Sequence, residues 1–209
     1  MTNSKQTLSG IVEGDLDEAV MRKILAVLDI AVGTIYVKNG KAGIRQRILG
    51  YVQASVQIPM FVLVDLDHEK DCAPDLVRGW LGMDNPSPLL FRVAVREVES
   101  WLLADSQNLA PFLGVREALI PRDPDREEDP KRTMVRLAQK SRRRNVREDM
   151  CPRDASGAPV GPAYTSRLIE FTQSHWRPTE AKDRSDSLRR CMDRLAACKS
   201  SFHIPASEL

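Results

Sequence analysis

Residues 61–72 read FVLVDLDHEKDC. One aromatic and three aliphatic side chains in a row, Phe61 to Val64, leave no polar face. The segment therefore reads as a strand buried on both sides rather than an alternating surface strand. Pro59 introduces it, and Asp65 and Asp67 stand at its exit. Two carboxylates at i and i+2 repel each other unless a positive charge stands between them. The strand sets the fold class, and its exit raises the question of a cation.

Outward from this strand the chain alternates. TLSGIVEG (7–14) reads as a first strand. DLDEAVMRKILAVLDIA follows as a helix, with Val20, Ile24, Leu25 and Leu28 at helical spacing and acids in the first turn, where the helix dipole favours them. GTIYVK (33–38) is a short strand, NGKAG breaks it, and IRQRILGYVQAS resumes as a helix. Beyond the central strand, APDLVRGWLGM reads as a helix and SPLLFRVAVRE as a strand leading into the helical VESWLLADSQNLAPFLG. This alternation predicts an α/β fold with a mainly parallel four-stranded sheet flanked by helices.

From about residue 115 the pattern changes. Pro121, Pro124 and Pro130 punctuate an acidic loop, and helices are expected at 131–140, 164–175 and 179–199. The Arg-, Pro- and Gly-rich stretch from 140 to 162 reads as an exposed loop. The expected organisation is an α/β domain over 7–115 and a helical extension over 116–209 that packs on it and is not independent.

The chain has 209 residues, 42% hydrophobic and 29% charged, with a formal net charge of +2. That is an ordinary globular composition, and bulk charge announces neither a nucleic-acid nor a membrane partner. No apolar run approaches the length of a membrane span, and the N-terminus lacks a signal-type apolar core. Cys72, Cys151, Cys191 and Cys198 show no CxxC spacing, as expected of free thiols in a reducing cytoplasm.

In open parallel sheets, ligands bind beyond the carboxyl ends of the strands. Three of the four expected strands carry acids there: Glu13 with Asp15 and Asp17, then Asp65 and Asp67, then Glu97 and Glu99. Converging carboxylates raise one another's pKa values, and a divalent cation removes that repulsion. All-oxygen donors suit Mg2+ or Mn2+. No His-Cys cluster suggests zinc, since His68, His175 and His203 stand apart.

GIVEGDLDEAV, FVLVDLD and RVAVREVESWLLAD, in that order and over about residues 8–140, together resemble the Toprim fold. The likeness is strongest to the Toprim domains of OLD-family (overcoming lysogenization defect) nucleases and related small bacterial proteins linked to phage defence. The resemblance implies metal ligation by Glu13, Asp17, Asp65, Asp67 and Glu99, with Glu13 a ligand or general base and Lys131 a catalytic cation. Glu97, where a small hydroxyl residue is the family's pattern, is a ligand or a supporting group. The implied activity is Mg2+- or Mn2+-dependent cleavage of phosphodiester bonds in DNA or RNA. An ATPase is the implied candidate partner, because this chain lacks the G-x-x-x-x-G-K-[ST] loop of the large OLD proteins. A homo-oligomer is compatible with the sequence.

A polymeric phosphate substrate needs a positive track. KSRRRNVR supplies Arg142, Arg143 and Arg144, and the helix before it supplies Arg132 and Arg136. Two other readings use the same residues. A non-catalytic Toprim-like subunit would bind or regulate an ATPase or nucleic acid. An Asp-x-Asp phosphohydrolase would act on a small phosphate ester, although in haloacid-dehalogenase phosphatases that motif lies on the first strand and here it lies on the third.

Overall fold

A computed structural model describes residues 7–67, 72–82, 89–153 and 157–199. His68, Glu69 and His203 lie outside the described residues.

Four strands form one wholly parallel sheet in the order β2-β1-β3-β4: β1 (Thr7–Val12), β2 (Ala31–Val37), β3 (Met60–Asp65) and β4 (Leu90–Ala94). β3 is central because its sequence permits nothing else: Phe61, Val62, Leu63 and Val64 are all fully buried. They divide between the two faces by the two-residue period of a strand, with Phe61 and Leu63 entering one core and Val62 and Val64 the other.

Helix α1 (Asp15–Val27) joins β1 to β2 and lies in the larger core. The next connection crosses to the opposite face through α2 (Lys41–Arg45) and α3 (Ile48–Ala54), and α4 (Ala73–Leu81) covers the same face before β4. The chain thus reverses its direction of travel between β1 and β3, and at such a point the connections leave a crevice above the strand ends.

The continuous helix expected from IRQRILGYVQAS is broken in two at Gln46 and Arg47. There Ile44 and Ile48 both turn into the core and Arg47 takes a non-helical conformation.

After β4 come α5 (Val98–Ala104), α6 (Ser106–Leu113), α7 (Pro130–Gln139), α8 (Arg144–Met150), α9 (Tyr164–Ser174), α10 (Pro178–Ala181) and α11 (Asp186–Cys198). The stretch read as an exposed loop over 140–162 contains α8, whose Val146 and Met150 are buried. The helix expected over 179–199 is two, because Ser185 accepts from the Leu188 N–H and starts a new helix.

These later helices bury Phe171, Trp176, Leu188 and Leu195 completely, in the same core as α1 and Trp101. Trp101 Nε1 donates to Ser187 Oγ at 2.7 Å, and Trp176 Nε1 donates to the Trp101 carbonyl at 3.2 Å. All four cysteines are free. No helix among the described residues is long and apolar enough to cross a membrane.

Candidate active site

The turn after β1 is short. Glu13 follows the strand directly, and Gly14 caps α1, its N–H donating to Asp17 Oδ2 at 3.0 Å. This capping bond draws Asp17 back toward the strand ends and leaves it 7% exposed. Its other oxygen, Oδ1, is buried with no hydrogen-bond partner. Next to β1, β3 delivers Asp65. Its N–H donates to Glu13 Oε1 at 3.0 Å, and its Oδ1 accepts from Val98 N–H at 3.0 Å, the first residue of α5. Next in the same helix, Glu99 is 2% exposed and accepts from the Tyr164 hydroxyl at 3.2 Å.

These side chains line a cleft of about 380 Å3, together with Lys131 and Tyr164 beside Glu99. Asp17, Asp65 and Glu99 each commit one carboxylate oxygen to a protein hydrogen bond. As they stand, no three His, Cys, Asp or Glu side chains among the described residues close on one point tightly enough to grip an ion. The donor chemistry nevertheless fits a hard divalent cation: the groups are all carboxylates, and one buried oxygen is orphaned toward its neighbours.

Electrostatics points the same way. Burial raises the Asp17 carboxyl to about 7, with the Glu13 and Glu99 charges adding to it. Asp65 is raised well above the usual carboxylate range by burial and then by Asp17, Glu99, Glu13 and Asp67. Burial raises Glu13, partly offset by the Asp65 N–H bond. Burial also raises Glu99, against the pull of Lys131. Four acids that perturb one another in this way share one field.

Two other expected ligands are engaged elsewhere. Glu97, at the N-cap of α5, accepts from the Lys131 N–H at 3.0 Å with one oxygen and from Lys131 Nζ at 2.9 Å with the other. These two bonds seat the start of α7 and hold the lysine. Lys131 Nζ also lies 3.8 Å from Glu99 Oε1. Burial alone would lower this ammonium's pKa, but Glu99 and Glu97 hold it above its ordinary value.

Asp67 has left-handed backbone (φ 57°), is 45% exposed at its side chain, and pairs with Lys41 Nζ at 2.7 Å. It sits at the rim and does not line the cleft. Lys41 comes from the NGKAG turn; with its side chain 16% exposed, it is a built part of this rim.

The basic residues are dispersed. Arg132 follows Lys131 at the start of α7 and is exposed; Arg136 lies a turn further on and donates to Thr133 Oγ1 at 2.9 Å. Arg142, Arg143 and Arg144 lie past the far end of α7, about 15 Å along the helix from the cleft. Arg143 NH1 donates to the Phe112 carbonyl at 3.2 Å, and Arg144 pairs with Glu148 at 2.7 Å.

Tyr164 carries no signal in the sequence as a site residue. Tyr164 opens an amphipathic helix, and only the tertiary fold turns its hydroxyl onto Glu99. Compared with known proteins, the chain matches no family model, no curated protein and no solved structure.

Proposed function

We propose that the protein is a divalent-metal-dependent nuclease that hydrolyses phosphodiester bonds of DNA or RNA at this cleft. The observation that carries the reading is the crowd of Glu13, Asp17, Asp65 and Glu99 from three separate strand exits, with a buried Asp17 oxygen left unbonded. Native folds rarely bury an unpartnered carboxylate oxygen without a functional reason. The ordered resemblance of these three segments to Toprim domains supports the same reading.

Asp17, Asp65 and Glu99 would hold Mg2+ or Mn2+ through the oxygens that the protein leaves free. Such an ion, when bound, supplies Lewis-acid stabilisation of a phosphate and of the oxygens that attack and leave it. The chain's own residues do the rest. Glu13 is partly exposed, its pKa is raised, and it would take a proton from an incoming water. Lys131, fixed by Glu97, presents a permanent cation to charge developing on the phosphate. Tyr164 fixes the orientation of Glu99 through its hydroxyl.

The test is cleavage of DNA and RNA panels with Mg2+ or Mn2+ by wild type, Asp65→Ala and Glu13→Ala. Both variants lose activity while keeping the wild-type circular dichroism spectrum. Equal cleavage by the variants overturns the reading. A trapped phosphoenzyme with a small phosphate ester would move the assignment to a phosphohydrolase.

A further inference from the structure

On its β4 side the sheet is open among the described residues. β4 is an edge strand, and among the described residues no strand pairs with its outer side. The Ala94 and Arg96 carbonyls turn inward to β3, accepting from Leu66 N–H at 2.9 Å and Asp67 N–H at 2.8 Å. Both polar groups of one strand residue point to the same side, so Phe91, Val93 and Val95 present theirs outward. Of these, the Val95 N–H reaches Ser187 Oγ at 3.4 Å.

This edge forms the floor of a groove of about 660 Å3. One wall is α4, through Ala73, Pro74 and Val77; the other is α11, through Asp186, Ser187 and Arg190. Phe91 and Val93 belong to the core on the α4 side. Arg92 therefore points to the α11 side, where it borders Cys191 and Arg194.

Arg92 has no carboxylate partner among the described residues, and its Nε is buried without a hydrogen bond. Burial and the nearby Arg194 both lower the pKa of its guanidinium. Arg190 is already paired with Asp186 at 2.6 Å. Asp125 and Asp186 also line the groove, but Asp125 accepts from Ser185 and Ser187 and Asp186 pairs with Arg189 and Arg190. Arg92 is thus a half-buried cation without a carboxylate among the described residues, which is costly to a fold.

We propose that the β4 edge is a docking groove for an extended segment of a partner protein, which adds as a fifth strand and directs an acidic side chain to Arg92. Main-chain bonds to Phe91 and Val93 supply the register, and alternation supplies the selectivity. Apolar residues of the incoming strand meet Val77, Phe91 and Val93, while acidic ones meet Arg92.

The probe is a capped octapeptide alternating Val and Glu, compared with the same peptide carrying Gln or Lys in place of Glu. Binding is measured by calorimetry and by hydrogen exchange at the Phe91 and Val93 amides. The Glu peptide binds and slows exchange at both amides, and the Gln and Lys peptides bind at least roughly tenfold more weakly. Arg92→Gln erases that preference. Val93→Pro, tolerated because an edge strand can lose an outward N–H, abolishes binding.

Equal binding of the Glu and Lys peptides, no binding of any peptide, or undiminished binding by Val93→Pro overturns the proposal. So does protection of the same amides through self-association without peptide. None of these readouts involves cleavage, so the proposal stands or falls separately from the nuclease reading.

Discussion

At Asp17 the fold holds a carboxylate that is 7% exposed with one oxygen unbonded, among three other acids. Without a cation this arrangement opposes folding at neutral pH. Asp17→Asn keeps an oxygen to accept the Gly14 bond and removes the charge. It should raise the metal-free stability on the order of 2 kcal/mol in urea titration while abolishing cleavage.

The same residues fix a pH dependence. Asp17, Asp65 and Glu99 have folded pKa values above their unfolded ones. Their contribution to stability is therefore present at low pH and is lost as pH rises, for Asp17 through about 7. Metal-free protein should melt roughly 5 °C higher at pH 5.5 than at pH 8, and saturating Mg2+ should flatten the difference. A melting temperature independent of pH and of Mg2+ would remove the charge cluster from the account. Asp65 was legible from its strand; the orphaned Asp17 oxygen was not, because it depends on the capping bond to Gly14.

At the level of elements, α7 is the part most visibly built for the site. Glu97 accepts from both the Lys131 N–H and Lys131 Nζ, so one side chain seats the helix start and aims the cation. Glu97→Ala should destabilise the fold by about 1–3 kcal/mol and reduce cleavage together. Lys131→Met should lower kcat about 100-fold while leaving Mg2+ affinity intact, as calorimetry and steady-state kinetics would separate.

The elements differ in how plainly the sequence announces them. β3 was readable because a fully apolar run has no alternative burial. α8 was not, since RNVREDM buries only Val146 and Met150 and its arginines mimic a solvated loop. The break at Ser185 was missed because the apolar period continues across it, and only the bond to Leu188 N–H marks the new start. Glu97 reads as either ligand or supporting group because, at sequence level, a helix-seating acid and a metal-binding acid are the same residue.

For the molecule as a whole, the larger core is shared. Phe171, Trp176 and Leu195 are fully buried with Trp101 and with Val20 of α1. Gly161 shows how closely the later segments fit: a Cβ there would lie 2.4 Å from the Asp149 carbonyl oxygen. Gly161→Ala should cost roughly 2 kcal/mol or more in denaturant titration. A chain ending at residue 115 should fail to unfold cooperatively, because α1 and α5 would lose the helices that cover them.

The Tyr164 bond to Glu99 has a further consequence in time. A ribosome finishes every clustered acid well before it reaches Lys131 and Tyr164. The growing polypeptide therefore passes through an interval in which it holds the negative charges without these two partners, and the acid cleft is completed only once Tyr164 has been made.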